Sequence, residues 1–184
     1  MTYDKVILGI DPGTTVMGFG VLGVSGNKTE VLTIGVLKLA KLGTHYNRLE
    51  KIYARISSLI KEFSVSEMAI EAPFYGNNVQ SMLKLGRAQG VCIAAAMSAQ
   101  VAVTEYAPLK VKMSVTGVGR ASKQQVADML EHLLHFKTSE KLLDATDALA
   151  VALCHYNNSR VIVKSGGYKS WNDFINKNPE RTRG

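Results

Sequence analysis

The feature that most constrains the fold is a predicted helix over residues 139–156 that is apolar on nearly every side. A helix with that pattern is stable only inside a protein, where a sheet and other helices cover it. Two aspartates, Asp144 and Asp147, interrupt the apolar run "LDATDALAVA" and lie three residues apart, so they share one helix face. Because burial of an unpaired carboxylate is costly, the pair predicts a positively charged partner.

Short apolar runs predict the sheet on which this helix packs. "KVILGID" (5–11) is typical of a buried strand, and "MGFGVLGV" and "EVLTIGVLKL", joined by the turn sequence "SGNK", predict an antiparallel meander. Further strands are expected within 67–73, ending at Glu71, and at 100–106, and helices at 44–63, 78–98, 121–136 and 139–156. The predicted fold class is α/β, with a five-stranded mixed sheet of three antiparallel strands and then two parallel ones, flanked by helices.

The composition favours a soluble intracellular protein. The chain has 184 residues, enough for one domain with a sizeable core, and no apolar run reaches the roughly 20 residues of a membrane span. The first residues lack the pattern of a secretory signal, and Cys92 and Cys154 form no CxxC pair, which is typical of a reducing compartment. We predict a cytoplasmic protein with a domain at 1–157 and a basic tail at 158–184 that is partly ordered or forms a short helix.

Positive charge is concentrated in two parts of the chain. The net charge is +7 and the pI is about 9.4. Residues 106–123 contain four basic residues and no acid, namely Lys110, Lys112, Arg120 and Lys123, and the residues after 156 add six basic residues against two acidic ones. This patchy charge favours a polyanionic partner, nucleic acid before membrane, and a surface of solvated lysines is the alternative.

Two more acids are expected close to the aspartates of the buried helix. Asp11 closes the first predicted strand and Glu71 the fourth. If these strands are neighbours, their carboxyl ends meet at one sheet edge, where the first turns of the helix can face them. The neighbouring sequence holds no Lys or Arg closer than Lys141, so four converging carboxylates require cations.

The chemistry of these side chains indicates which cations would bind. Ligand sets made only of oxygen select hard ions such as Mg²⁺ or Mn²⁺. Two such ions about 4 Å apart hydrolyse phosphodiesters. The residues therefore predict a two-metal nuclease site formed by Asp11, Glu71, Asp144 and Asp147.

Each candidate acid also has a structural interpretation. A single acid after a strand is usually a turn residue or a helix cap, and Glu105, which ends the fifth strand, is a competing candidate. His155 lies three turns from Asp144, about 16 Å along the helix and too far to share a metal. We expect it to be structural or exposed, as we do for the other histidines, His45, His132 and His135.

Five stretches of the sequence carry a family resemblance: "GIDPGTT" (9–15), "IEAPFYGNN" (70–78), "LKLGRAQG" (83–90), "YAPLKVKMSVTGVGRASKQQV" (106–126) and "DATDALAVALCH" (144–155). Together they resemble the RuvC family of crossover junction endodeoxyribonucleases, bacterial enzymes that resolve Holliday junctions. The resemblance extends over roughly residues 4–156 and implies a ribonuclease-H-like fold. It also implies two Mg²⁺ or Mn²⁺ ions per active site, hydrolysis that leaves a 5′-phosphate, and a homodimer that nicks two strands symmetrically.

The resemblance assigns roles to particular residues. The family's catalytic carboxylates fall on the same four acids, although some members have His where this chain has Asp144. Phe74 follows Glu71 in a loop where the family stacks an aromatic ring on an unpaired base, with core packing as the alternative. The resemblance makes Lys112 and Lys123 phosphate contacts. Their predicted supporting neighbours are Lys110 and Arg120, and Gly13 is expected to let the turn after Asp11 approach a phosphate.

The resemblance also implies partners. The helix at 78–98 carries small residues and is similar to the family's dimer contact, and tight packing on its own sheet is an equally weighted alternative. The expected partners are a four-way DNA junction, a second copy of the chain and a branch-migration helicase complex of the RuvA–RuvB type, with no membrane.

Three other functions fit parts of the sequence. "GIDPGTT" is similar to the phosphate turn of sugar kinases, actins and heat-shock chaperones, but no second phosphate loop or adenosine pocket is found. A RuvX-like nuclease would share the fold but lacks the Phe74 loop and the "DATDALA" helix. A non-catalytic DNA-binding dimer would use the lysines but has no need for four converging acids.

Overall fold

The computed structural model describes residues 2–73, 78–137, 143–164 and residue 175. Five strands and five helices are found in these ranges. The strands are β1 (Lys5–Asp11), β2 (Val16–Ser25), β3 (Lys28–Lys38), β4 (Glu67–Glu71) and β5 (Ala102–Tyr106). The helices are α1 (His45–Phe63), α2 (Val79–Ser98), α3 (Pro108–Thr116), α4 (Lys123–Leu134) and α5 (Leu143–Lys164).

The strands form one mixed sheet in the order β3-β2-β1-β4-β5. The first three strands pair antiparallel, whereas β1 with β4 and β4 with β5 pair parallel. This arrangement confirms the predicted fold class. It also places the carboxyl ends of β1, β4 and β5 at one edge of the sheet, which is the usual position of a ligand site in α/β proteins.

Helices cover both faces of the sheet because strand side chains alternate between them. Val6, Leu8 and Ile10 of β1 lie in one core with buried residues of α1 and α2. Ile7, which lies between them in sequence, joins the other core with buried residues of α3, α4 and α5. The apolar helix α5 is therefore an inner layer, as its composition predicts.

Two glycines allow α5 to lie unusually close to the sheet. A Cβ atom on Gly9 of β1 would lie 2.1 Å from the carbonyl oxygen of Ala148. On Gly18 of β2 it would lie 2.0 Å from the carbonyl oxygen of Asp144. Both distances are far below van der Waals contact, so any side chain at these positions would displace the first turns of α5.

Side-chain caps fix the starts of two helices as the sequence predicts. The backbone N–H of Asn47 donates to Thr44 Oγ1 at 3.2 Å, which begins α1. At α4, the Ser122 N–H donates to the Gln125 side chain and the Gln125 N–H donates to Ser122 Oγ, at 2.8 and 3.2 Å. This capping box makes Lys123 the first residue of α4.

The structure differs from the sequence prediction at three elements. The short helix α3 was not predicted, because only Val111 and Val115 of its nine residues are buried. Strand β4 ends at Glu71 as predicted, whereas strand β5 begins at Ala102, after its predicted start at residue 100. Helix α5 continues to Lys164, past the predicted end at residue 156, and the predicted first turn at 139–142 lies outside the described residues.

The domain boundary after residue 157 stays a prediction, since little of the tail is described. The one tryptophan, Trp171, lies outside the described residues. No helix in the described part of the chain is long and apolar enough to span a membrane.

Candidate active site

The ends of two parallel strands place the first pair of acids. Ile10 of β1 pairs with Ile70 of β4, and the next residues along the strands are Asp11 and Glu71. The two carboxylates therefore begin side by side at the carboxyl edge of the sheet. The prediction of a shared site required β1 and β4 to be neighbours, and the structure confirms that they are.

The second pair of acids comes from the first turns of α5. Gly18, which is paired with Asp11 across the β1–β2 ladder, contacts the backbone carbonyl of Asp144. This contact places the start of α5 directly over the end of β1. The Asp147 side chain is 16% exposed and that of Asp144 is 50% exposed, so Asp147 lies deeper in the site.

The pKa values of the strand acids show that the four carboxylates share one electrostatic environment. Burial raises the pKa of Asp11 to about 7, and repulsion by Asp147 and Asp144 adds to the effect. Burial likewise raises the pKa of Glu71 to about 7, with repulsion by Asp11 and Asp147. Burial and repulsion both disfavour the ionised carboxylates, and a bound cation would stabilise them.

Lys123 lies among these acids. Its Nζ is 2.5 Å from Asp147 Oδ2 and 3.3 Å from Asp144 Oδ1. Burial lowers the pKa of Lys123, but hydrogen bonds and charge attraction from Asp147 and Asp144 outweigh it and raise the pKa above its ordinary value.

This position corrects one premise of the sequence argument. Lys141 is the nearest basic residue in the sequence, but Lys123 is the one that α4 brings to the acids. Lys123 and Asp144 are separated by 21 positions in the sequence, so the pair is not visible among neighbouring charges. The predicted contact of Lys123 with DNA is a separate matter and stays a prediction.

The other predicted basic residues lie around the same end of the molecule in different ways. Lys112 Nζ donates to the Ala121 carbonyl at 2.8 Å. Its positive charge partly offsets the increase in the pKa of Glu71. Lys110 lies over the ring of Tyr106, 5.2 Å from the ring centre. Arg120 is exposed.

Three other sequence candidates have clear outcomes. Glu105 accepts a hydrogen bond from Gln89 Nε2 at 3.1 Å, so its partner is α2. A Cβ on Gly13 would lie 1.7 Å from the Val16 carbonyl oxygen, and this close approach within the turn already explains the glycine. Phe74, the predicted stacking residue, lies outside the described residues.

The chemistry of the donor set fits hard divalent cations. The four acids offer carboxylate oxygens, the ligands that Mg²⁺ and Mn²⁺ prefer. Within 2–73, 78–137 and 143–164, no three Asp, Glu, His or Cys side chains are already arranged to hold an ion. Burial is the main cause of the raised pKa values of Asp11 and Glu71, and repulsion by neighbouring acids adds to it, so a cation would stabilise their ionised forms.

Comparison with known proteins decides the family. The family model described as "Crossover junction endodeoxyribonuclease RuvC" matches residues 7–155. The chain belongs to the RuvC family. It is therefore a crossover junction endodeoxyribonuclease, an enzyme of a divalent-metal-dependent nuclease family that resolves Holliday junctions.

Individual relatives agree over nearly the whole chain. The chain is 55% identical to the RuvC of Bacteroides fragilis, covering 98% of this chain and 97% of the relative. It is 56% identical to that of Cytophaga hutchinsonii, with coverages of 99% and 90%. The structure of Thermus thermophilus RuvC in complex with a Holliday junction substrate is 34% identical, with a TM-score of 0.79 and coverages of 85% and 96%.

The family assignment selects among the functions considered from the sequence. A match of this extent favours RuvC over an ATP-binding fragment, a RuvX-like nuclease or a non-catalytic DNA-binding dimer. Gly9 and Gly18, which seat α5 over the acids, were not predicted from the sequence. Glycines within buried strands were the available signal, because they often mark a close backbone approach.

Proposed function

We propose that Asp11, Glu71, Asp144 and Asp147 together hold two Mg²⁺ or Mn²⁺ ions and form the catalytic centre of this resolvase. When bound, such ions lower the pKa of the attacking water and stabilise the leaving oxygen of the phosphodiester. The main support is geometric: Asp11 and Glu71 follow the paired residues Ile10 and Ile70 at one sheet edge, and Asp144 and Asp147 come from the first turns of α5 beside that edge. Cleavage is proposed to leave a 5′-phosphate on the nicked strand.

The proposed role of Lys123 is to neutralise the acids and to contact the DNA backbone. Its ammonium group contacts Asp144 and Asp147, so a phosphate that enters the site approaches a positive charge as well as negative ones. Lys112 lies near Glu71 and is proposed to contact a neighbouring phosphate. Phosphate contacts of this kind position the junction without reading its sequence.

The remaining DNA contacts stay predictions from the sequence. Lys110 and Arg120 are exposed and are proposed to extend the basic surface. Phe74 is proposed to stack on an unpaired base near the crossover, since it follows Glu71 by three residues in the sequence.

We further propose that the enzyme acts as a homodimer through α2. Ala88, Cys92, Ala95 and Ala96 pack this helix on its own sheet. A Cβ on Gly86 or Gly90 would meet no atom within 4 Å, so these glycines lie on the open side.

Large apolar side chains extend the same open stripe. Val79, Leu83 and Met97 are each more than half exposed. A two-fold axis through this stripe would give two active sites for the two equivalent strands of a junction. Delivery to the junction by a helicase complex of the RuvA–RuvB type belongs to the same proposal.

A cleavage assay with binding measured alongside tests the active-site assignment. We expect the wild-type protein to cut a synthetic four-way junction in Mg²⁺, to spare a linear duplex of the same sequence, and to stop in chelator. Asp144→Asn should lose cleavage by at least about 100-fold, because it removes a metal ligand. Junction binding in chelator should be unchanged or tighter, since a negative charge near the phosphates is lost.

The matched control is Asp128→Asn, which changes an aspartate of α4 that pairs with Gln124. We expect this variant to cleave at the wild-type rate. Full activity in Asp144→Asn would reject its assignment as a metal ligand.

A further inference from the structure

A chain of polar side chains begins at the end of the sheet opposite the proposed metal ligands, at Lys5 and Glu67, and runs through His155 to Tyr106, which closes β5 beside Glu71. Lys5 Nζ is 2.7 Å from Glu67 Oε1, and Glu67 Oε2 is 2.8 Å from His155 Nε2. His155 Nδ1 in turn lies 2.9 Å from the hydroxyl of Tyr106. We call Lys5, Glu67, His155 and Tyr106 the polar clamp.

Protonation in the clamp follows from its chemistry. Burial raises the pKa of Glu67, but hydrogen bonds from Lys5 and His155 outweigh it and hold the pKa below its ordinary value. An ionised carboxylate only accepts, so His155 Nε2 carries a proton and donates to it. Both ring nitrogens of His155 therefore have hydrogen-bond partners, Glu67 at Nε2 and the Tyr106 hydroxyl at Nδ1.

The clamp joins the elements that carry the four acids. Strand β1 begins at Lys5 and ends at Asp11, and strand β4 begins at Glu67 and ends at Glu71. His155 lies on α5, which carries Asp144 and Asp147 at its start. Each acid-bearing element therefore contributes one residue to the clamp.

The spacings on the two elements agree. Glu67 and Glu71 are four residues apart on a strand, about 13 Å at 3.3 Å per residue. Asp147 and His155 are eight residues apart on a helix, about 12 Å at 1.5 Å per residue. When His155 is bonded to Glu67, Asp147 is thus brought level with Glu71.

Two kinds of contact seat α5 on the sheet. Near its start, small residues pack closely, as Ala148 does against Gly9. Further along the helix, His155 adds hydrogen bonds to residues of β4 and β5. The hydrogen bonds of His155 have a fixed direction and length.

We infer that the polar clamp is a positioning device for cleavage, in which His155 fixes the axial register of α5 and so aligns Asp144 and Asp147 with Asp11 and Glu71. The inference rests on the proposed assignment of these four acids as metal ligands. His155 acts through α5 and does not touch the reacting atoms, so loss of the clamp should slow the bond-breaking step and leave junction binding intact.

The test compares variants that differ in clamp bonds. His155→Phe keeps a ring of similar size but loses both bonds, and His155→Gln keeps an amide that can still donate to Glu67. The control is Tyr156→Phe, which removes a hydroxyl that donates to the Asn27 carbonyl at 3.2 Å from the same helix. Circular dichroism and thermal unfolding check that each variant folds. Junction affinity is measured in chelator, and the cleavage rate is measured in single-turnover reactions with Mg²⁺ and saturating protein.

We expect His155→Phe to cut at least about tenfold more slowly, since small misplacements of reacting groups are costly, with junction affinity within about twofold of the wild type. His155→Gln should recover part of the rate, and Tyr156→Phe should retain all of it. A folded His155→Phe protein that cleaves at the wild-type rate overturns the inference, as does an equal loss in Tyr156→Phe.

Two further variants complete the experiment. If His155→Phe does not fold, Tyr106→Phe removes a single clamp hydroxyl without a change in size, and the same criterion applies to it. Asp147→Asn is measured in parallel: full cleavage there rejects the carboxylate assignment, whereas loss there with unaffected clamp variants rejects only the clamp.

Discussion

Asp11 and Glu71 make the stability of this protein depend on pH in an unusual direction. Each has a pKa of about 7 in the folded protein, against about 4 in an unfolded chain. Between these pH values the folded protein binds more protons than the unfolded chain does. Its free energy of unfolding should therefore fall as the pH rises from about 4 to about 7.

The first prediction concerns that slope. In chelator, the free energy of unfolding measured by urea titration should fall between pH 5 and pH 8. Over this range the decrease should be smaller in Asp11→Asn than in the wild type, by on the order of 2 kcal/mol. Added Mg²⁺ should restore stability at pH 8, because it binds the ionised carboxylates of the folded protein. Equal slopes in the two proteins would show that Asp11 is not held protonated by its surroundings.

The second prediction concerns Lys123 as a phosphate contact. Lys123→Ala should weaken junction binding and reduce the slope of log affinity against log salt by about 1, because one phosphate contact is lost. Fluorescence anisotropy in chelator at several salt concentrations measures this slope. Lys28→Ala, at the exposed start of β3, is the control and should keep the wild-type slope. A full slope in Lys123→Ala would restrict this lysine to its pairing with the acids.

At the scale of elements, the close packing of α5 on β2 determines where Asp144 and Asp147 lie. A methyl group on Gly18 would overlap the Asp144 backbone, and backbone cannot rotate away as a side chain can. We expect Gly18→Ala to lower the free energy of unfolding by about 2 kcal/mol, a usual cost of overpacking. Cleavage should fall more steeply than junction binding, because the start of α5 carries Asp144 and Asp147.

Gly43→Ala is the control for this third prediction. A Cβ on Gly43, an exposed loop residue, would meet no atom within 4 Å. Chemical unfolding and single-turnover cleavage of both variants provide the measurement. Wild-type stability in Gly18→Ala would mean that α5 has room to move away from the sheet.

At the scale of the whole molecule, the exposed stripe on α2 predicts the assembly. Leu83→Glu should convert the proposed dimer to a monomer, since a charge in an apolar contact between subunits is costly. Sedimentation at micromolar concentration measures the state. Leu133→Glu, which changes a half-exposed leucine of α4 on the opposite face of the sheet, should remain a dimer. If both variants remain dimers, another surface forms the contact.

Much of this protein could be predicted from the sequence because the relevant signals are local. The apolar runs gave the five strands, and the uniform apolar character of α5 gave a buried helix. The acids were found because each follows a strand or interrupts an apolar run, as Asp11 and Asp147 do. Helix α3 was missed for the same reason, since two buried valines are too weak a periodic signal.

The tertiary structure alone decided which distant groups meet. Lys123 reaches Asp144 and Asp147 across the contact between α4 and α5, and His155 reaches Glu67 over 88 residues of sequence. Such pairs leave no periodic trace, because their distance depends on how the sheet and helices pack. The sequence by itself therefore determined the elements and the chemistry of the acids. Packing decided which cation lies among these acids and what holds α5 in register, because both depend on contacts between separate layers.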